Sequence, residues 1–167
     1  MSYTVIRTDL MSGTKQAADL VSLRFYNAEG KQADVENGVI VELQGYEDGQ
    51  REVLKAVAAS AGADLNKCAI VAGVEVMYDE HKKNLDEFIN EAGKAVRGYI
   101  PRSRNIFSVT KEGFVDSKVP AKGGDVGIGE GGKIDAAGTG LGECVDVETA
   151  GRYTYYAIKI GKTEVAG

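Results

Sequence analysis

Residues 152–160 read RYTYYAIKI, a β-prone run whose successive side chains would lie on opposite faces of a strand. The stretch before it, 113–151, contains eleven glycines that separate short segments such as DVGI, KID and ECVDVE. Glycine adopts positive φ angles without strain, so this spacing suits tight hairpins and excludes a helix. The sequence therefore predicts a glycine-rich C-terminal β lobe over residues 113–167, in the form of a small sheet or a small barrel.

Short β-prone runs also precede this lobe. They lie at 3–10, 21–26, 37–43, 51–59, 69–77, 95–100 and 106–110. The run at 51–59 fits both a helical stripe and an alternating strand, and we interpret it as a strand. The run at 69–77, AIVAGVEVM, carries no charge before Glu75 and is therefore expected to form a buried strand.

One main helix is predicted, over about residues 80–92. Its apolar face would consist of residues at helical spacing, namely Leu85, Phe88, Ile89, Ala92 and Val96. Asp79 is placed to cap its N-terminus and Gly93 to end it. The resulting fold class is α+β and predominantly β. It comprises an α+β region with an N-terminal arm at 1–112 and the lobe at 113–167, with one continuous domain as the alternative.

Composition excludes several classes of function. The chain of 167 residues is long enough to bury a core, and its net charge of -5 disfavours a sequence-independent grip on nucleic acid. No stretch approaches the length of a membrane span, and the first residues, MSYTVIRTDL, do not resemble a signal peptide. We therefore expect no nucleic-acid partner, no membrane and synthesis in a reducing cytoplasm. Cys68 and Cys144 would be two buried thiols or, alternatively, a long-range disulfide.

No residue pattern predicts catalysis. GIGEGG at 127–132 matches a dinucleotide-binding motif, but the residues that follow it cannot form the required helix, so hairpin glycines are expected instead. His81 is the single histidine and is interpreted as a solvated residue, because the cysteines have no spacing that would complete a metal site and no GxSxG sequence presents a serine for a triad. We predict no catalytic, cofactor-binding or metal-binding residues, and no enzyme.

The aromatic residues near the C-terminus are the candidate interaction site. Tyr153, Tyr155 and Tyr156 would either fill a core or anchor an interface. Tyr155 and Tyr156 face opposite ways on a strand, so at least one could reach a partner. Together with Arg152 they form the predicted interface.

The order of these segments resembles the small capsid decoration (cement) proteins of tailed bacteriophages. The resemblance rests on VENGVIVEL (35–43), AIVAGVEVMYDEHKKNLDEFINEAGKAVRGYI (69–100), NIFSVTKEGF (105–114) and the final YYAIKI (155–160). In that family, 78–99 would be a helix-and-strand insert and the glycine-rich lobe would be compact and β-tulip-like. Residues 1–29 match nothing in the resemblance and are expected to form an arm.

The resemblance implies a structural virion protein without cofactors. It would bind the phage major capsid protein on the outer surface of the capsid, self-associate as a trimer and strengthen the shell. Two alternatives stay open, namely a structural protein of the tail or head–tail junction and a carbohydrate-binding or hydrolytic module that uses surface tyrosines and carboxylates.

Overall fold

The computed structural model describes residues 1–12, 19–77 and 84–161. Within these ranges the regular structure consists of β-strands and short 3₁₀ turns, with no α-helix. The strands are β1 Ile6–Ser12, β2 Leu20–Phe25, β3 Ile40–Glu47, β4 Gln50–Ala58, β5 Cys68–Val71, β6 Val96–Tyr99, β7 Ile106–Val109, β8 Asp125–Ile128, β9 Ile134–Asp135, β10 Gly142–Ala150 and β11 Tyr153–Ile160. The 3₁₀ turns are Leu65–Lys67, Leu85–Glu87, Lys111–Gly113, Val115–Ser117 and Glu130–Gly132. The predominantly β prediction is confirmed, including the strand interpretation of 51–59.

Five strands close into a barrel in the order β2-β4-β3-β5-β6. The β2–β4 pair is parallel and the other pairs are antiparallel. The interior is packed with aliphatic side chains, including Leu23, Val41, Val71 and Val96. These side chains come from β2, β3, β5 and β6, so inward-facing positions around the barrel supply one core.

The other six strands form a sheet in the order β1-β7-β11-β10-β8-β9. A second core cluster contains Phe107, Phe114 and Ile158 from the sheet side and Ile40 and Ile70 from the barrel. Neighbouring residues of β3 and β5 therefore point alternately into the barrel and toward the sheet. Burial on both faces explains why β5 reads as a continuous apolar run.

A small sheet or a small barrel was expected in the glycine-rich lobe, and the closed barrel lies outside that lobe. It is built from residues between 20 and 99, whereas the strands after 113 join β1 and β7 in the open sheet. In the glycine-rich part β8 has 4 residues and β9 only 2, so these strands pair too briefly to close a sheet upon itself. The sheet thus takes strands from both sides of residue 113.

The predicted main helix over 80–92 is wrong. Residues 80–83 lie outside the described residues, and so do Asp79 and His81. The rest contains one 3₁₀ turn, Leu85–Glu87, after which Phe88 is extended with φ -79 and ψ 135. Asn90 then pairs with Val35 in an antiparallel bridge. This pairing buries Asn90, which a helix would have exposed on its wet side.

The glycine pattern at 127–132 forms a hairpin, as predicted. Gly127 pairs with Asp135 across the antiparallel β8–β9 ladder. Gly132 has a positive φ of +74 and packs so closely on the barrel that a Cβ would overlap the carbonyl oxygen of Ile40.

Cys68 and Cys144 are buried and form no disulfide, and burial raises the pKa of the Cys68 thiol to about 11.

Candidate functional site

A groove of about 740 Å³ crosses the outside of the barrel beside β2 and β6. One wall is the segment 73–77, which continues the chain of β5 beyond the end of the strand. The other wall is the segment 87–91, and the floor includes 20–22 and 94–97. Volumes of this size are typical of ligand-binding clefts.

Aliphatic side chains at the groove are unusually exposed. Val74 is 63% exposed, Val76 51% and Leu20 40%. Because contiguous apolar surface on a soluble protein marks interaction sites more often than single exposed residues do, this cluster makes the groove the strongest candidate site in the described part of the chain.

The wall at 73–77 differs from the buried strand that the sequence predicted. The β5 ladder ends at Val71, and beyond it Val74 and Val76 turn to solvent while Glu75 points the other way. The Oε1 atom of Glu75 is buried without a hydrogen-bond partner among the described residues. Burial raises the pKa of the Glu75 carboxyl, and a hydrogen bond with Asn37 partly opposes that rise.

Buried amides hold the two walls in place. Asn37 Nδ2 donates to the carbonyl of Gly73 at 3.2 Å, and the amide nitrogen of Gly73 donates back to Asn37 Oδ1 at 2.8 Å. Asn90 Nδ2 donates to the same Asn37 Oδ1 at 2.9 Å and to the carbonyl of Val35 at 3.0 Å. A Cβ on Gly73 would overlap Asn90 Oδ1, so only glycine permits this close approach. One asparagine therefore fixes both walls.

The predicted interface residues Arg152 and Tyr153 contact the segment that leads into the second wall. The hydroxyl of Tyr153 donates to Asp86 Oδ1 at 2.9 Å, and Arg152 Nη1 donates to Asn84 Oδ1 at 2.6 Å. The Arg152 guanidinium also lies 5.2 Å from the centre of the Tyr153 ring. These contacts fasten the 84–87 turn to the start of β11.

Tyr155 and Tyr156 lie on opposite faces of β11, as the sequence predicted. Tyr155 is 5% exposed, and the Arg7 guanidinium covers its ring at 5.5 Å. Tyr156 packs edge-to-face on Phe114 with ring centres 5.4 Å apart. The structure therefore brings Arg152, Tyr153 and Tyr155 into one cluster and directs Tyr156 into the core beside Phe114.

Known proteins do not identify the chain. No family model matches it, and neither the curated proteins nor the solved structures give a significant match. Among the described residues no three His, Cys, Asp or Glu side chains are grouped as metal ligands would be. The same described residues form no helix of the length and hydropathy that a membrane crossing requires. Its own geometry must therefore suggest a role.

The sequence reasoning missed the groove itself. Its floor and walls come from segments far apart in the chain, and their meeting depends on the strand order of the barrel. One signal was readable, since the alternation Val74-Glu75-Val76 places two aliphatic residues on the face opposite a charge. Which face would be exposed could not be read from it.

Acid should loosen the contact between β11 and the 84–87 turn. Burial alone would raise the pKa of Asp86, but the Tyr153 hydroxyl and the Arg152 guanidinium outweigh it and the pKa lies below its ordinary value. A carboxyl whose pKa is lower in the folded state than in the unfolded state stabilises the fold at pH values above its unfolded-state pKa. This stabilisation is lost as the pH falls through the folded-state pKa. We expect Tyr153→Phe to cost about 1 kcal/mol near neutral pH and less at about pH 3, as measured by urea unfolding.

The control is Tyr46→Phe, because Tyr46 is exposed on the β3–β4 hairpin. Its effect should be small at both pH values. An unchanged difference between wild type and Tyr153→Phe across this pH range would contradict the prediction.

Proposed function

We propose that this chain is a structural binding protein of a phage virion, which decorates the outer surface of the capsid and stabilises the shell. The observation that carries the proposal is the exposed aliphatic groove around Leu20, Val74 and Val76. Covering it would remove apolar surface from water, and each Å² so buried contributes roughly 25 cal/mol before the costs of association. A shell built of many subunits offers such cover repeatedly.

The resemblance to capsid decoration proteins supports the same role. Segments 69–77 and 95–100, which carry part of that resemblance, supply one wall and part of the floor of the groove. The function also needs no turnover chemistry, only a rigid body that presents a contact surface. The barrel and the sheet share a buried cluster that provides such a body. As in the resembling family, the proposed oligomer on the shell is a trimer.

The test is co-sedimentation of the purified protein with expanded capsids assembled from the major capsid protein of the same genome. Wild-type protein should pellet with the capsids and make them more resistant to heat. Val74→Asn and Val76→Asn should pellet much less, because they place polar groups in the apolar contact.

Val119→Asn is the matched control. Val119 is 41% exposed but does not line the groove, so its replacement should leave sedimentation unchanged. Wild-type protein that stays in the supernatant would refute capsid decoration. Rings of six or twelve subunits by native mass spectrometry would indicate the tail or the head–tail junction instead.

A further inference from the structure

The groove contains one charge that the fold leaves uncompensated. Lys94 and Glu91 form an ion pair at 2.5 Å, and Glu87 Oε2 accepts the backbone amide of Asn84 at 2.8 Å. Arg97 is exposed and also lines the groove, yet its guanidinium has no hydrogen-bond or ion-pair partner among the described residues. The groove lining thus has two acidic and two basic residues, and Arg97 is the one whose charged group has no partner among the described residues.

A hydroxyl lies next to this guanidinium. Ser22 and Arg97 are direct partners in the antiparallel β2–β6 ladder, and both are exposed groove residues. Directly opposed residues of such a ladder have Cβ atoms about 4.5–5.5 Å apart. A guanidinium and a hydroxyl at this spacing can both donate to one carboxylate, which is the anion that arginine recognises with two parallel bonds.

The floor of the groove has the spacing of an extended chain, because Leu20 is two residues from Ser22 on the same strand. On the facing wall, Val74 and Val76 flank a turn in which the amide of Val76 donates to the carbonyl of Val74 at 2.8 Å. Two residues of extended chain span about 6.6 Å, and alternate side chains of a bound strand would meet the floor positions Leu20 and Ser22 in turn.

We propose that the groove binds an extended peptide segment in which an acidic side chain is flanked at alternate positions by aliphatic residues. The carboxylate is held by Arg97 and Ser22, and the aliphatic side chains pack on Leu20, Val74 and Val76. This inference rests on the proposed function, in which the segment belongs to the capsid subunit. It adds the chemistry by which that subunit is recognised.

The chemistry is tested without capsids, by fluorescence polarisation with two labelled, capped peptides. One has a Val-Ser-Glu-Ser-Val core, which places valine at alternate positions from the glutamate, and the other has glutamine in place of glutamate. Wild-type protein should bind the glutamate peptide at least about tenfold more tightly, because a hydrogen bond to a charged group contributes about 1.5–3 kcal/mol. Arg97→Gln should remove this preference, and Arg97→Lys should keep part of it because lysine retains the charge but not the fork.

Arg51→Gln is the matched control, since Arg51 is exposed on β4 and does not line this groove. It should bind both peptides as wild type does, and circular dichroism should show that all variants are folded. Equal binding of the two peptides by wild-type protein, or an unchanged preference in Arg97→Gln, would overturn the inference.

Capsid sedimentation separates this inference from the proposed function. If wild type pellets with capsids and Arg97→Gln pellets equally well, the carboxylate contact is wrong while decoration stands. If wild type discriminates between the peptides but does not pellet, decoration is wrong and the peptide chemistry stands. Loss of pelleting in Arg97→Gln but not in Arg51→Gln supports both.

Discussion

Gly132→Ala should lower the free energy of unfolding by about 4 kcal/mol and the melting temperature by about 10 °C. Gly132 has φ +74, where an L-residue costs roughly 1–2 kcal/mol, and its Cβ would overlap the carbonyl oxygen of Ile40. That carbonyl also accepts the backbone amide of Ala59 at 3.0 Å, so it cannot move away without breaking a barrel contact. The overlap therefore adds several kcal/mol to the strain.

Gly131→Ala is the matched control for this prediction. Gly131 precedes Gly132 and has a similar φ of +67, but nothing lies within 4 Å of a Cβ placed on it. Its free energy of unfolding should fall only by the cost of an alanine in the left-handed conformation, about 1 kcal/mol. The measurement is thermal and urea unfolding of both variants. Equal losses would mean that the glycine-rich hairpin can lift off the barrel at little cost.

The strands were predictable because the residue patterns that produce them lie within each strand's own sequence. Alternation and β-branched residues mark β3, β10 and β11, and continuous apolar residues mark β5, which is buried on both faces. The closure of the five strands β2 to β6 into a barrel was not predictable. It depends on the parallel β2–β4 pair, which joins residues about thirty positions apart, such as Ser22 and Val53. Nothing in either segment specifies that register.

The helix over 80–92 failed for a physical reason. The apolar spacing there is real, but Asn90 makes two side-chain hydrogen bonds and a backbone bridge to residues near 35, and these outweigh a modest local helix preference. Phe88 is nevertheless buried, and Val96 is buried as the first residue of β6. The apolar residues predicted to share one helical face thus lie in separate segments of the chain.

Arg152 and Tyr153, which the sequence predicted as interface residues, have a role within the chain. Arg152 and Tyr153 hold Asp86, which is 67 residues away from Tyr153 in sequence, and this contact supports the turn that precedes the groove wall. Whether a partner also touches these residues stays a prediction. Their in-chain role means that a substitution here would act on the groove through the 84–87 turn.

The second large effect is expected at Asn37, which is completely buried. Asn37→Ala removes the partner of both backbone groups of Gly73 and one partner of Asn90. Each buried group left without a partner costs about 1–3 kcal/mol, so we expect a loss of at least about 3 kcal/mol. The amide of Gly73 should also exchange its hydrogen much faster, because its acceptor is gone.

Asn66→Ala is the control, since Asn66 is exposed and its side chain bonds only locally to Asp64. It should change stability by less than about 0.5 kcal/mol. If Asn37→Ala were equally mild, with Gly73 exchange unchanged, then the amide network would not be what holds the groove walls together.

Asn37→Asp gives a sharper test, because it keeps the shape and the Oδ1 acceptor. It replaces a donor with a second buried carboxyl beside Glu75, whose pKa burial already raises. Two such carboxyls cannot both ionise cheaply, and the donor that Glu75 loses had lowered its pKa, so the folded-state pKa of Glu75 should lie further above its unfolded value. Stability should then be greatest below the unfolded-state pKa and fall as pH rises through the folded-state pKa. The measurement is the difference in stability between wild type and Asn37→Asp, which should widen from acid to neutral pH. A difference that narrows over this range would contradict the prediction.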